Sequence, residues 1–196
     1  MLAQLRASVV MMVLFTLLFG LAYPLAVTGV AGVVFPSQAG GSLLKDGAGR
    51  VVGSALIAQG FARPQYLHPR PSAAGTGYDP MNSSGSNLGP LDPALIKRVA
   101  GDAAAIRKDL PGAIIPADAL TTSGSGLDPD VSPRNAAMQT PRIARARGVT
   151  EAAVQAVVDA HTGQPFLGFI GQPYVNVLAV NRALDARLAK AHAPTS

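Results

Sequence analysis

Hydrophobic positions follow two regimes along this chain. Residues 7–44 contain no Asp, Glu, Lys or Arg. Within them SVVMMVLFTLLFGLAYPLAVTGVAGVVF is apolar for longer than the ~20 residues that cross a bilayer core. A cleavable signal carries an apolar region of only ~7–15 residues, so the run predicts an uncleaved helical anchor over residues 1–35, with Pro24, Gly29 and Gly32 late in it. Beyond it the apolar positions become short and periodic. Residues 42–44 and 50–57 read as a hairpin about a DGAG turn. Residues 61–93, FARPQYLHPRPSAAGTGYDPMNSSGSNLGPLDP, are too rich in Pro, Gly, Ser and Asn for a helix or central strand; Phe61, Tyr66 and Tyr78 predict an ordered loop that packs.

Helices follow. Asp92 as N-cap, Pro93 as first residue and a Leu91–Ile96 staple predict a helix with Leu95, Val99 and Ile106 on one stripe, stopped at Leu110-Pro111. IIPADALT (114–121) reads as a short edge strand. In TTSGSGLDPDVSPRNAAMQ (121–139), Ser132 caps a helix with Pro133 first. Thr140-Pro141 is expected to interrupt that helix and restart it through residues 143–147, with Gly148 as its stop. Thr150 caps the next, with Val149 and Val154 as staple and Val157, Val158 and His161 continuing the stripe. PYVNVLAV (173–180) alternates as a strand, and Asn181 is expected to cap a final helix carrying Leu184 and Leu188. Without βαβ repeats, residues 36–196 are expected to form an extracytoplasmic α+β domain, preceded by one N-terminal transmembrane α-helix.

Charge sets the orientation. Arg6 and the terminal amine precede the span, which favours a cytoplasmic N-terminus in a cell (inner) membrane and residues 36–196 outside, a periplasmic placement. The net charge is +5 and the pI about 10.0. Aromatic residues are only 5%, Trp is absent and no basic run exceeds two residues. The balance therefore points to membrane lipids or an acidic partner surface, with no nucleic acid. There are no cysteines, which excludes disulfides and thiol metal sites. Ala3/Ala7 and Ala22/Ala26, each four apart, are the spacings that let another helix approach closely.

No catalytic constellation emerges. His68, His161 and His192 are scattered without ligand spacing, so no metal site is expected. Asp128 and Asp130 lack the further carboxylates of a calcium loop. No G-x-S-x-G elbow occurs, and the 11 acidic residues form no acid/base pair. Two Ser/Gly loops, SSGSNLGP (83–90) and TSGSGLDP (122–129), carry the small residues that let backbone N–H groups converge on phosphate, but neither has the G-K-[ST] of a P-loop. Arg134, Arg142, Arg145 and Arg147 follow the second loop. They read as a solvated face, with anion pairing as the alternative.

These strings, taken in order, resemble the C subunit of the Kdp-type potassium-transporting P-type ATPase over nearly the whole chain. The resemblance rests on the N-terminal span, Gly53-Ser54, Leu56-Ile57, Gln59, Phe61, Pro64, Tyr66, Arg70-Pro71-Ser72-Ala73, Tyr78 and the distinctive Gly85-Ser86-Asn87-Leu88-Gly89-Pro90. It continues through Ser123-Gly124-Ser125-Gly126-Leu127-Asp128-Pro129, Ser132-Pro133, Gln139, Arg142, Ala144, Arg147-Gly148, Asn176-Val177-Leu178, Asn181, Leu184 and Asp185. Ser84 departs from a common glycine, Asp130 from histidine and Tyr174 from a basic residue. The resemblance implies a non-enzymatic accessory subunit of an ATP-driven, high-affinity potassium importer. Its implied partners are a channel-like potassium-translocating subunit and a P-type ATP-hydrolysing subunit. It also implies a catalytic chaperone that raises the pump's affinity for ATP in a ternary complex. Under that reading ATP is the ligand, and Ser123, Gly124, Ser125, Gly126, Gln139 and Arg142 form a candidate nucleotide or partner-contact loop. Tyr66, Arg70, Tyr78 and Asn87 are candidate partner contacts. The alternative is a purely structural subunit at the extracytoplasmic ion entrance with no nucleotide contact.

Overall fold

A computed structural model of the chain describes residues 2–188. It divides into two compact units, residues 1–52 and 53–196. In the first, α1 (Leu2–Leu17) and α2 (Tyr23–Val34) join through a wide turn at Leu18–Ala22 into one apolar helix of 33 residues, long and apolar enough to cross a membrane. In the wide turn the Tyr23 N–H donates to the Leu18 carbonyl, five residues back. Pro24 explains it: proline has no N–H to offer Gly20, and its ring crowds the preceding turn, which the extra residue opens. A short α3 (Pro36–Ala39) follows. Then β1 (Leu43–Lys45) and β2 (Val51–Ser54) form a two-stranded ribbon. Asp46 closes its turn by accepting from the amides of Ala48 and Arg50, both at 2.9 Å.

The second unit is a mixed helix and small-sheet domain, so the fold is α+β behind one N-terminal apolar helix. Its sheet has the order β3 (Asp130–Val131), β5 (Tyr174–Asn176), β4 (Thr162–Gly163), antiparallel throughout. Gly163 faces Tyr174 in the register, and the tyrosine ring occupies the space a Cβ would need. Helices α5 (Pro133–Arg147), α6 (Glu151–Ala160) and α7 (Val177–Leu188) supply the core. Leu67, Val131, Ile143, Val154, Val158, Val175, Val180 and Leu184 are its centre, each at most 2% exposed. Burying such side chains contributes roughly 1.5–3 kcal/mol apiece, which makes this contiguous cluster the main driving force. Val154 is fully buried, with Val149 packed against the same core, as the staple at Thr150 required.

Caps match the sequence at several ends. Asp92 accepts from the Ala94 amide to start α4 (Pro93–Asp109), Ser132 from Asn135 to start α5, and Thr150 from Ala153 to start α6. Gly148, at φ 67°, ends α5 in the left-handed conformation that glycine adopts without penalty.

Six expectations need correction. Leu91 and Ile96 are 87% and 57% exposed, so no staple closes there. Residues 114–121 are not a strand. Ala117–Ala119 is a single 3-10 turn, and Asp118 in it accepts from the Ser132 N–H, the Ser132 hydroxyl and the Asn135 amide. Helix α5 runs unbroken through Pro141, and the Thr140 hydroxyl turns back to the Ala136 carbonyl instead of capping a new start. The strand over 173–180 is only Tyr174–Asn176. Asn181 caps nothing: Asn176 accepts from the Ala179 amide at the start of α7, and Asn181 is buried inside that helix. The arginine face is not uniformly solvated. Arg134 and Arg145 are exposed, whereas Arg142 is buried and the Arg147 side chain is only 9% exposed. His192 lies outside the described residues.

Candidate functional site

The predicted site residues fall into two groups in the second unit. The first surrounds residues 64–68. Prolines at 64, 69 and 71 deny this segment a regular ladder, so its backbone groups need other partners. Side chains of α5 and α7 provide them. Arg142 donates to the Pro64 carbonyl at 2.6 Å, and Arg147 to the Gln65 carbonyl at 2.8 Å. Tyr66 donates to Asp185 at 3.1 Å, and the Arg147 guanidinium lies 5.2 Å from its ring centroid while pairing with the same carboxylate. The Asn181 amide accepts from the Leu67 N–H at 2.7 Å and donates to its carbonyl at 2.9 Å. Gln139 treats His68 in the same way, at 2.8 and 3.0 Å. Two buried carboxamides thus replace the neighbouring strand that this segment lacks.

Gln139 and Arg142 are thereby committed. The Gln139 oxygen also accepts from Arg142 at 2.6 Å, and its nitrogen also donates to Asn135 at 2.9 Å. Arg142 further faces the His68 ring at 3.3 Å and sits 3.5 Å from the Asp109 carboxylate. Burial lowers the Arg142 pKa, opposed by Asp109. Burial, then the Arg142 charge, lowers that of His68. The same His68 Nε2 lies 3.1 Å from the Arg63 carbonyl, so that carbonyl and the guanidinium share one ring nitrogen. Beside these groups runs a cleft of about 320 Å³, lined among others by Phe61, Tyr78, Ile106 and Asn135, with Asp102 and Asp109 also on its wall. Two carboxylates and one already shared guanidinium make a poor cradle for a polyphosphate.

The second group joins the two Ser/Gly loops. The Ser125 carbonyl accepts from the Ser84 amide and the Ser83 hydroxyl, both at 2.9 Å. Ser72 donates to the Gly126 carbonyl at 2.7 Å and accepts from the amides of Ala74 and Tyr78. Gly126 has φ +68°, and a Cβ there would stand 2.5 Å from the Ser84 carbonyl oxygen. The amides of Gly126, Leu127 and Asp128 point inward, to the Ser123 carbonyl and the hydroxyls of Ser125 and Ser123. Arg70 pins the rim by its ion pair with Asp128 at 2.9 Å and by bonds to Thr121 and Thr122. Tyr78, its pKa raised by burial, donates to the Arg70 carbonyl at 2.8 Å. Gly124 and Asn87 remain exposed, Asn87 with a left-handed φ of 53°. Among the described residues no group of three or more His, Asp or Glu is placed to hold a metal.

The family model described as KdpC: K+-transporting ATPase, c chain, matches residues 5–186. The chain belongs to the KdpC family. It is similar to the potassium-transporting ATPase KdpC subunits of Caulobacter sp. (strain K31) and Caulobacter vibrioides (strain NA1000 / CB15N), each 66% identical over 187 residues, 95% of both chains. That of Beijerinckia indica subsp. indica is 59% identical over 189 residues, again 95% of both chains. The three positions expected to depart from the family have local partners here. Ser84 bonds to Ser125 through its backbone, Asp130 accepts from Asn176 at 3.0 Å, and Tyr174 covers Gly163. Sequence reading missed the clasping role of Asn181, Asn135 and Asp185; the available signal was a carboxamide, Asn181, on the same helical face as Leu184 and Leu188.

Proposed function

We propose that this chain is a non-catalytic accessory subunit of a potassium-transporting ATPase, anchored by its N-terminal helix with a cytoplasmic N-terminus. Residues 36–196 form its extracytoplasmic domain in this reading. That domain works as a preshaped docking body for the channel-like and ATP-hydrolysing subunits of the complex. One observation carries the docking role. The Gln139 amide, the Arg142 guanidinium, the Ser123 and Ser125 hydroxyls and the Gly126 N–H already hold loop backbone in place, so these groups offer shape and not a vacant anion cradle. A rigid surface loses little entropy on association, which favours binding without new chemistry. An effect on the ATP affinity of the pump subunit then arises through the assembly, by favouring one of its conformations.

The test uses the exposed rim of the joined loops. Asn87→Arg and Ser83→Arg in the complete complex are expected to lower recovery of the partner subunits while the KM for ATP of the recovered complex stays unchanged. Full recovery with a raised KM for ATP would overturn docking and favour direct nucleotide contact.

A further inference from the structure

The turn between β4 and β5 carries an apolar tip. Phe166, Leu167, Phe169 and Ile170 are 70%, 68%, 76% and 52% exposed, four large apolar side chains within five residues. Soluble surfaces tolerate such residues singly; a cluster marks a contact. The tip is also closed on itself. Phe166 and Ile170 exchange both backbone hydrogen bonds, at 3.0 and 2.9 Å, and the amides of Gly168 and Phe169 donate to the carbonyls of Pro165 and Phe166. Residues 162–174, TGQPFLGFIGQPY, contain no charged side chain. Tyr174, at 46% exposure, stands at the base.

We propose that this tip inserts into the interfacial layer of the phospholipid bilayer that the N-terminal helix spans. Two observations select lipid as the occupant. Hydrocarbon supplies no hydrogen bonds, so a segment entering lipid gains from pairing its own backbone, and the N–H groups of Phe166, Gly168, Phe169 and Ile170 all donate within the tip. Charged residues are absent from the part that would enter, and a tyrosine sits at its base, where aromatic residues favour the headgroup level. The tip is then a second, reversible foothold that limits how the domain swings on its tether. It does not depend on the docking role proposed above.

The cysteine-free chain makes the test direct. Phe169→Cys and, as control, Ile114→Cys, which is 91% exposed outside the tip, carry an environment-sensitive fluorophore in the full-length chain in nanodiscs. Lipids spin-labelled at the headgroup, upper chain or mid-chain serve as quenchers. The expected result is several-fold stronger quenching of the Phe169 probe than of the Ile114 probe, deepest from the upper-chain label, in the chain alone and in the assembled complex. Equal quenching of both probes overturns the proposal. So does a Phe169 probe that reports an apolar surrounding only with the partner subunits present and is not quenched by lipid, which makes the tip a protein contact. A double variant, Phe166→Ser with Phe169→Ser, supplies an independent readout: it should increase the rotational freedom of the Ile114 probe while the far-UV spectrum stays unchanged, and no increase would overturn the foothold.

Discussion

Gln139 and His68 pair as two strands would, side-chain amide against backbone, with the N–H of His68 at 2.8 Å and its carbonyl at 3.0 Å. Replacing Gln139 with alanine strands both groups and removes an acceptor of Arg142. Unmade buried hydrogen bonds cost about 1–3 kcal/mol each, so Gln139→Ala is expected to lower stability by roughly 2–4 kcal/mol in denaturant titration. A loss below about 0.5 kcal/mol, the range of ordinary surface changes, would contradict the clasp.

Asn181 and Gln139 hold adjacent residues, so their losses should not add. Once one clasp opens, the segment over residues 64–68 is already loosened and the second contributes less. Asn181→Ala combined with Gln139→Ala is expected to show a coupling of about 0.5–3 kcal/mol in a double-mutant cycle. Strict additivity would mean that each amide acts alone.

Stability should fall in mild acid because of His68. Its folded pKa lies below the usual 6.5, chiefly through burial, so below that pH the unfolded chain binds a proton that the folded chain resists. The contribution is fully present above pH 6.5 and is lost as pH falls toward the folded value. His68→Gln should flatten the slope of Tm against pH in that window; an unchanged slope would assign the acid sensitivity elsewhere.

Asp130 acts in the opposite sense. Burial raises its pKa above 3.8, with the Asp128 charge adding to the rise and the Asn176 bond opposing it. The folded state holds this proton more tightly, so stability declines as pH rises through the window above 3.8. Asp130→Asn keeps an acceptor for Asn176 and removes the charge. It is expected to raise Tm at neutral pH and leave it nearly unchanged at pH 3; a lower Tm at neutral pH would show that the charge is useful.

Gly126 tests the junction of the Ser/Gly loops. Alanine there meets the Ser84 carbonyl and the Ala74 amide in a left-handed backbone. Strain of about 1–3 kcal/mol from the backbone adds to that collision. Gly126→Ala is expected to reduce Tm and to raise proteolysis across residues 72–85, whereas Gly124→Ala, with open space at its Cβ position, should be neutral. Equal behaviour of the two variants would remove the case for a packed junction.

The long N-terminal apolar helix was legible from its uninterrupted apolar run, and the caps at Asp92, Ser132 and Thr150 and the stop at Gly148 because they are decided within a few residues of the chain. The errors share a different origin. Asn181 looked like a cap because a carboxamide beside an apolar run usually satisfies local backbone; here its partner is Leu67, 114 residues away. Arg142 looked solvated because its acceptor at Pro64 lies 78 residues away. Pro141 looked like a break, yet the tertiary packing of Ile143 and Ala144 holds α5 through it. The candidate residues were found by resemblance, but their commitment to one another depends on contacts that no local pattern encodes.

The wide turn at Leu18–Ala22 alters the angular arrangement of the anchor. Absorbing one extra residue resets everything downstream by about 100° around the axis. On an unbroken helix Ala7 and Ala26 would point about 100° apart. With the turn, their separation counts as one residue fewer, which at about 100° per residue closes on whole revolutions. The two methyl-sized gaps then line up along a single side of the rod, so whatever lies against the anchor meets one lengthwise furrow instead of two notches on different sides.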